Sequence, residues 1–238
     1  MNYGRTNMNE LIDGKGYVVA ERYIPEKLID AVHNKLHTLY PVRASSTNKQ
    51  YAEGEKIKDL PDINVWWSQM VMDWPEVIEI ESMVNELVKP YLPTLEWYAS
   101  DIVVIEGNST WINPHVDTPH RFKKYNYDKR LLGVQSIVSL FDLDKTRGVT
   151  GVVPGSQKQD HNINLCYQGF YNSHFNKNCV QPNLPKGSVL LYNCRVLHSS
   201  MPNTQDTLRQ ALLINYLDSS IISDIRSTDN IWNNDNGK

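Results

Sequence analysis

The sequence predicts a mainly β fold flanked by helices, and three observations carry that reading. Helical periodicities bounded by prolines fall within the first 94 residues, while short β-rich runs separated by turn residues fill residues 95–226. The chain has 238 residues, and all-β sandwiches and barrels run to about 200 residues or more as single domains. Hydrophobic residues make up 40% and charged residues 21%, the balance of a globular protein.

Taken in order, residues 15–24 (KGYVVAERYI) are rich in β-branched and aromatic side chains and give a first strand. Pro25 follows it and suits a first helical turn, where the missing N–H costs nothing. Leu28, Val32, Leu36 and Leu39 recur at helical spacing, so a helix runs to Tyr40 and stops at Pro41. The polar stretch 42–62 is expected as a long loop of the kind that covers an active site. A second helix opens at Pro75 and runs to about Lys89, with Val77, Ile80, Val84, Leu87 and Val88 on its apolar side; Pro90 and Pro93 close it. Strands follow over 97–106, 130–141, 149–155, 187–193 and 209–218. Residues 227–238 are heavy in Asn and Asp and are expected to fray. The expected organisation is one domain over 1–226, a helical N-terminal part over 1–94 and a β core over 95–226.

Several classes are disfavoured. No apolar run approaches the 18 or so residues that cross a bilayer. Residues 1–13 are polar and lack the apolar core of a secretory signal, so a cytoplasmic location is expected. The net charge of -3 exerts no general pull on nucleic acid or anionic membrane. Cys166, Cys179 and Cys194 lie in no C-x-x-C arrangement and are expected to be reduced, structural thiols.

The chemistry gathers at four residues. In an extended segment His115 and Asp117 point to one face and can share an ion. A bare H-x-D is weak evidence, because Asp117 could equally cap a surface loop. Residues 186–197 (KGSVLLYNCRVL) add weight, as they read as one buried strand that delivers His198 at its far end. Strict alternation then puts Tyr192, Cys194, Val196, His198 and Ser200 on one face. A polar turn and the apolar strand from Arg209 to Leu217 complete an expected hairpin with Arg209 beside His198. An arginine opening an apolar strand asks for an anion, either an acidic side chain or a ligand. Two imidazoles and one carboxylate form the facial triad of Fe(II) oxygenases, and a guanidinium close by suits the carboxylate of 2-oxoglutarate.

Residues 148–158 (GVTGVVPGSQK) resemble the NG-x-L-x-x-x-PGSH signature of the phytanoyl-CoA dioxygenase family. Residues 186–203, the spacing to Arg209 and the opening stretch GYVVAERYIPEKLIDAV extend the resemblance from Gly16 to about Leu217. It implies a double-stranded β-helix (jelly-roll, cupin-like) with His115, Asp117 and His198 as iron ligands. It implies further that Arg209 holds the C5 carboxylate of 2-oxoglutarate with Ser200 near it. Trp97 and Gln135, on strands expected to line the barrel, approximate cofactor positions of the family. The histidine of PGSH is Gln157 here, which predicts different loop packing and leaves the chemistry intact.

The implied reaction uses Fe(II), 2-oxoglutarate and O2 to hydroxylate a small molecule, with succinate and carbon dioxide released. Related halogenases lack the carboxylate, so Asp117 argues for hydroxylation. His33, His37, His120, His161 and His174 are expected to be non-ligands. The loop 120–130 (HRFKKYNYDKR) alternates basic and aromatic residues and could hold a phosphate, a carboxylate or a stacked base, or could be a solvated loop balanced by Asp128. A small polar or acidic metabolite ranks first as substrate, a carrier-bound acyl group second and a nucleobase third. Membrane and nucleic-acid partners are not expected, and the oligomeric state cannot be read from the sequence. The alternative of another class is a jelly-roll that keeps the ligands as a non-catalytic binding module.

Overall fold

The structure, a computed structural model, describes residues 10–44, 65–68, 73–91, 94–105, 107, 113–120, 122, 124–160 and 171–235. In chain order the elements are β1 (Tyr17–Ala20), α1 (Glu26–Ala44), β2 (Val65–Ser68), α2 (Pro75–Val88), β3 (Leu95–Ile105), β4 (Gly133–Ser139) and β5 (Thr150–Val152). A 3-10 turn (Ser156–Lys158), α3 (Asn172–Asn178), β6 (Val189–Asn193), β7 (His198–Ser200), β8 (Arg209–Asp218) and α4 (Ser219–Asp235) follow.

Period-two alternation sorts the strands into layers. The large antiparallel sheet runs β1-β6-β4-β8-β3-β2, and β5 pairs with β7 in a small second sheet. Val134, Val138, Leu212 and Ile214 point to one face of the large sheet and pack on Val32, Leu36, Val77, Ile80 and Val84 of α1 and α2. Ile137, Leu190, Tyr192 and Ala211 point to the other face and pack with Val149, Val152 and Val196 on the side of the small sheet. Every residue of β4 is buried because both its faces are covered. Its polar groups are accordingly paired: Ser136 Oγ donates to Ile214 O and Ser139 Oγ to Pro185 O.

Three expectations need correction. Helix α1 continues past Pro41 to Ala44; a proline costs its own N–H bond, and the chain beyond it can still turn. Residues 227–235 belong to α4 and do not start a frayed tail. Asp218 Oδ1 accepts from the Ser220 N–H at that helix's start, and Ile221 and Ile225 bury its first turns against Leu132, Leu217 and Tyr125. The expected single strand over 186–197 is also broken. Asn193 Oδ1 accepts from the Arg195 N–H and Asn193 O from the Val196 N–H, so the chain turns there and crosses from the large sheet to the small one. Most of the expected covering loop, residues 45–62, lies outside the described residues, as does Cys166.

Candidate metal centre

The crossing at residues 194–197 assembles the site. His115 and His198 exchange both backbone hydrogen bonds in an isolated antiparallel bridge, at 2.9 and 3.0 Å, and Asp117 N–H donates to Cys194 O at 2.8 Å. The backbone thus presses the H-x-D segment against the chain that carries the second histidine. The two imidazole centroids lie 4.4 Å apart. Asp117 carboxylate oxygens stand 3.9 Å from His115 Nε2 and 3.3 Å from His198 Nε2. One donor atom from each residue falls within 4.8 Å of the others.

Both histidines are set for the same tautomer. His115 Nδ1 lies 2.9 Å from Asn113 O, and His198 Nδ1 lies 3.0 Å from Val196 O. A carbonyl can only accept, so each Nδ1 carries the proton and each Nε2 keeps its lone pair for a metal. Two such nitrogens with one carboxylate are the donor set of a non-haem Fe(II) site, so the residues present fit that ion.

Arg209 supplies a different group. It is 1% exposed; Nη2 donates to Thr150 Oγ1 at 3.3 Å, and its buried Nε has no hydrogen-bond partner. Among the described residues no carboxylate pairs with it. Burial pulls its guanidinium down to about 10, a fall that the nearby Tyr192 partly opposes. Of the two partners the sequence left open, an acidic side chain is not found among the described residues. The expected hairpin with His198 is absent as well, since β7 pairs with β5 while β8 pairs with β3 and β4. Arg209 instead reaches from the large sheet to Thr150 of the small sheet, whose register partner is Ser200.

The other expected pocket residues divide. Gln135 lies between Tyr192 and Asn215 in the sheet register, and its Oε1 accepts from Asn215 Nδ2 at 2.7 Å. Trp97 sits on the opposite face, packed in the helix-side core, with Nε1 donating to Ser100 Oγ. A bulge between Trp97 and Ala99 reverses the alternation there and turns the indole away from the triad. Cys179 and Cys194 are free thiols. His33 pairs with Gln210, His174 with Asn178 and His120 Nδ1 with Tyr125 O. None of these three joins the triad. His161 lies outside the described residues.

Three side chains of the basic aromatic loop are paired with carboxylates. Lys124 pairs with Asp224, Lys129 with Asp160 and Arg130 with Asp128. Arg121 and Lys123 lie outside the described residues. Tyr192 and Arg195 are two functional candidates to which sequence reasoning assigned no role. Tyr192 donates its hydroxyl to Asp117 Oδ2 at 3.0 Å, with its ring centroid 4.6 Å from that of His198. Burial first, then the Asp117 charge, push its phenol well above the ordinary range. Arg195 is buried and donates to Gln157 O, Gln159 O, Asn126 O and Asp160 Oδ1, tying two loops to the crossing. Gln157, where PGSH has histidine, donates to Ile12 O and Gly14 O and anchors the N-terminal segment.

A family model described as phytanoyl-CoA dioxygenase matches residues 12–211. No curated protein matches the chain by sequence. Among solved structures, the non-haem α-ketoglutarate-dependent carbocyclase SnoK of nogalamycin biosynthesis superposes with a TM-score of 0.69 at 18% identity, over 92% of this chain and 85% of that one. The epimerase SnoN of the same biosynthesis gives 0.68 at 15%, over 86% and 77%. EctD from S. alaskensis, solved with 2-oxoglutarate and 5-hydroxyectoine, gives 0.68 at 16%, over 91% and 77%. At these identities the likeness establishes the fold, the cupin-like double-stranded β-helix that the sequence led us to expect.

Proposed function

Because this chain belongs to the phytanoyl-CoA dioxygenase family of Fe(II)- and 2-oxoglutarate-dependent enzymes, we propose that His115, Asp117 and His198 hold the iron and that Arg209 holds the distal carboxylate of 2-oxoglutarate. The observation that carries this assignment is the buried Arg209 guanidinium with no acidic partner among the described residues. A buried cation is retained where an anion joins it, and a planar guanidinium forms two parallel bonds to a carboxylate.

Iron bound there with 2-oxoglutarate supplies activated oxygen for an unactivated C–H bond, with succinate and carbon dioxide as co-products. The chain's own part is ligation, orientation and exclusion of water. Asn113 O and Val196 O keep both Nε2 atoms free of protons. Three protein donors leave three coordination positions for the co-substrate and dioxygen. Arg209 and Thr150, with Ser200 beside them, fix the far end of the co-substrate and so its angle of approach.

Retention of Asp117 favours hydroxylation over halogen transfer. For the substrate, a small polar molecule is the reading we favour. The pairing of Lys124, Lys129 and Arg130 with carboxylates weakens, among the described residues, the feature that pointed to a phosphate or an acidic carrier. Gln135 and Asn215 give the inner wall neutral hydrogen-bonding character. Anaerobic addition of Fe(II) and 2-oxoglutarate is expected to produce a visible charge-transfer band, and a folded protein without it would refute the site assignment. Succinate release across amino acids, polyols, acyl carriers and nucleosides then ranks substrates. A binding module that kept its ligands would show the band and release no succinate.

A further inference from the structure

Tyr192 reaches the triad with its one donor. Its side chain is fully enclosed, its ring tilts 46° against His198, and its hydroxyl donates to Asp117 Oδ2. Gln135, the register neighbour of Tyr192, does not compete for that hydroxyl, because it is engaged with Asn215 and with Ser136 O. Phenylalanine would fill the same space, so packing alone does not account for the oxygen. A carboxylate free to turn can bind a cation through both oxygens. On an iron that must keep positions open, a second Asp117 oxygen would take one of them.

We propose that Tyr192 is a positioning residue for Asp117: its hydroxyl holds Oδ2, the oxygen 3.3 Å from His198 Nε2, and so fixes the turn of the carboxylate toward the iron, an inference that rests on the metal assignment above. Ligands held by such a partner lose about 10- to 100-fold in metal affinity when it is removed. The test is anaerobic titration of the full chain with Fe(II), followed by 2-oxoglutarate, comparing wild type with Tyr192→Phe. The expected result is Fe(II) affinity weaker by at least about 10-fold and a displaced charge-transfer band, with the thermal midpoint of the metal-free protein little changed. Equal affinity and an unmoved band would overturn the role of Tyr192 and leave the metal assignment standing. A folded wild type that binds no Fe(II) would overturn the assignment itself and this inference with it. Should the phenylalanine variant fail to fold, 3-fluorotyrosine placed at position 192 keeps the hydroxyl and reports directly. Its fluorine resonance is expected to move as Zn(II) binds, and a resonance that stays fixed while Zn(II) binds overturns the proposal.

Discussion

Replacing Arg209 with methionine separates the cost of this residue from its use. The guanidinium is pulled down to about 10 by burial. At about 1.4 kcal/mol per pH unit, that depression corresponds to roughly 3 kcal/mol. The sign is destabilising: below about pH 10 the side chain is charged in both folded and unfolded states, and the folded state bears the desolvation. Methionine matches the length, carries no charge, and among the described residues leaves only Thr150 Oγ1 without its donor. At about 2–4 °C per kcal/mol for a chain of this size, Arg209→Met is expected to raise the thermal midpoint of the ligand-free protein by up to about 10 °C. The same change removes the carboxylate's partner, and losing charge-assisted bonds of about 1.5–3 kcal/mol each weakens 2-oxoglutarate binding by about 100-fold or more. Differential scanning fluorimetry under nitrogen, with Fe(II) and a 2-oxoglutarate series, reads both effects. Wild type is expected to gain stability with co-substrate while the variant starts higher and gains none. A variant that melts below wild type, or one that keeps its co-substrate affinity within about threefold, would refute the reasoning from an unpaired buried cation.

Other changes test the remaining parts. Asp117→Ala is expected to abolish Fe(II) binding and substrate-coupled turnover while the circular dichroism spectrum is retained; an active variant would show the ligand set to be wrong. His120 is buried, and desolvation lowers its pKa from 6.5 to about 4. Its neutral form therefore supports the fold fully above pH 6.5, and up to about 3 kcal/mol is lost as pH falls from there toward 4. Urea unfolding at pH 7 and pH 4.5 measures the loss, and His120→Gln is expected to shrink the difference between the two. Arg195→Met strands the buried carbonyls of Gln157 and Asn126. At about 1–3 kcal/mol for each buried orphan, a loss of about 2 kcal/mol or more is expected in denaturant unfolding.

Part of the triad was legible because its information is local. His115 and Asp117 lie two apart, so short-range alternation was enough to pair them, whereas His198 was joined to them through the family resemblance, since the strand expected to deliver it is broken at Asn193. Trp97 was not legible, since one bulged residue reverses strand parity and nothing in EWYAS announces it. The crossing at 194–197 was hidden in a run of apolar residues, although Asn193 is a turn-former whose side chain makes the turn. The basic loop was ambiguous for a different reason. Its counter-ions Asp160 and Asp224 come from distant parts of the chain, and only the fold brings them to Lys129 and Lys124.

The route of the chain at residues 194–197 gives the two sheets separate holdings. His198 stands on β7 of the small sheet, bridged to His115, while Arg209 opens β8 of the large one. A co-substrate chelated at one end and clasped by Arg209 at the other would span both leaves of the sandwich like a rivet.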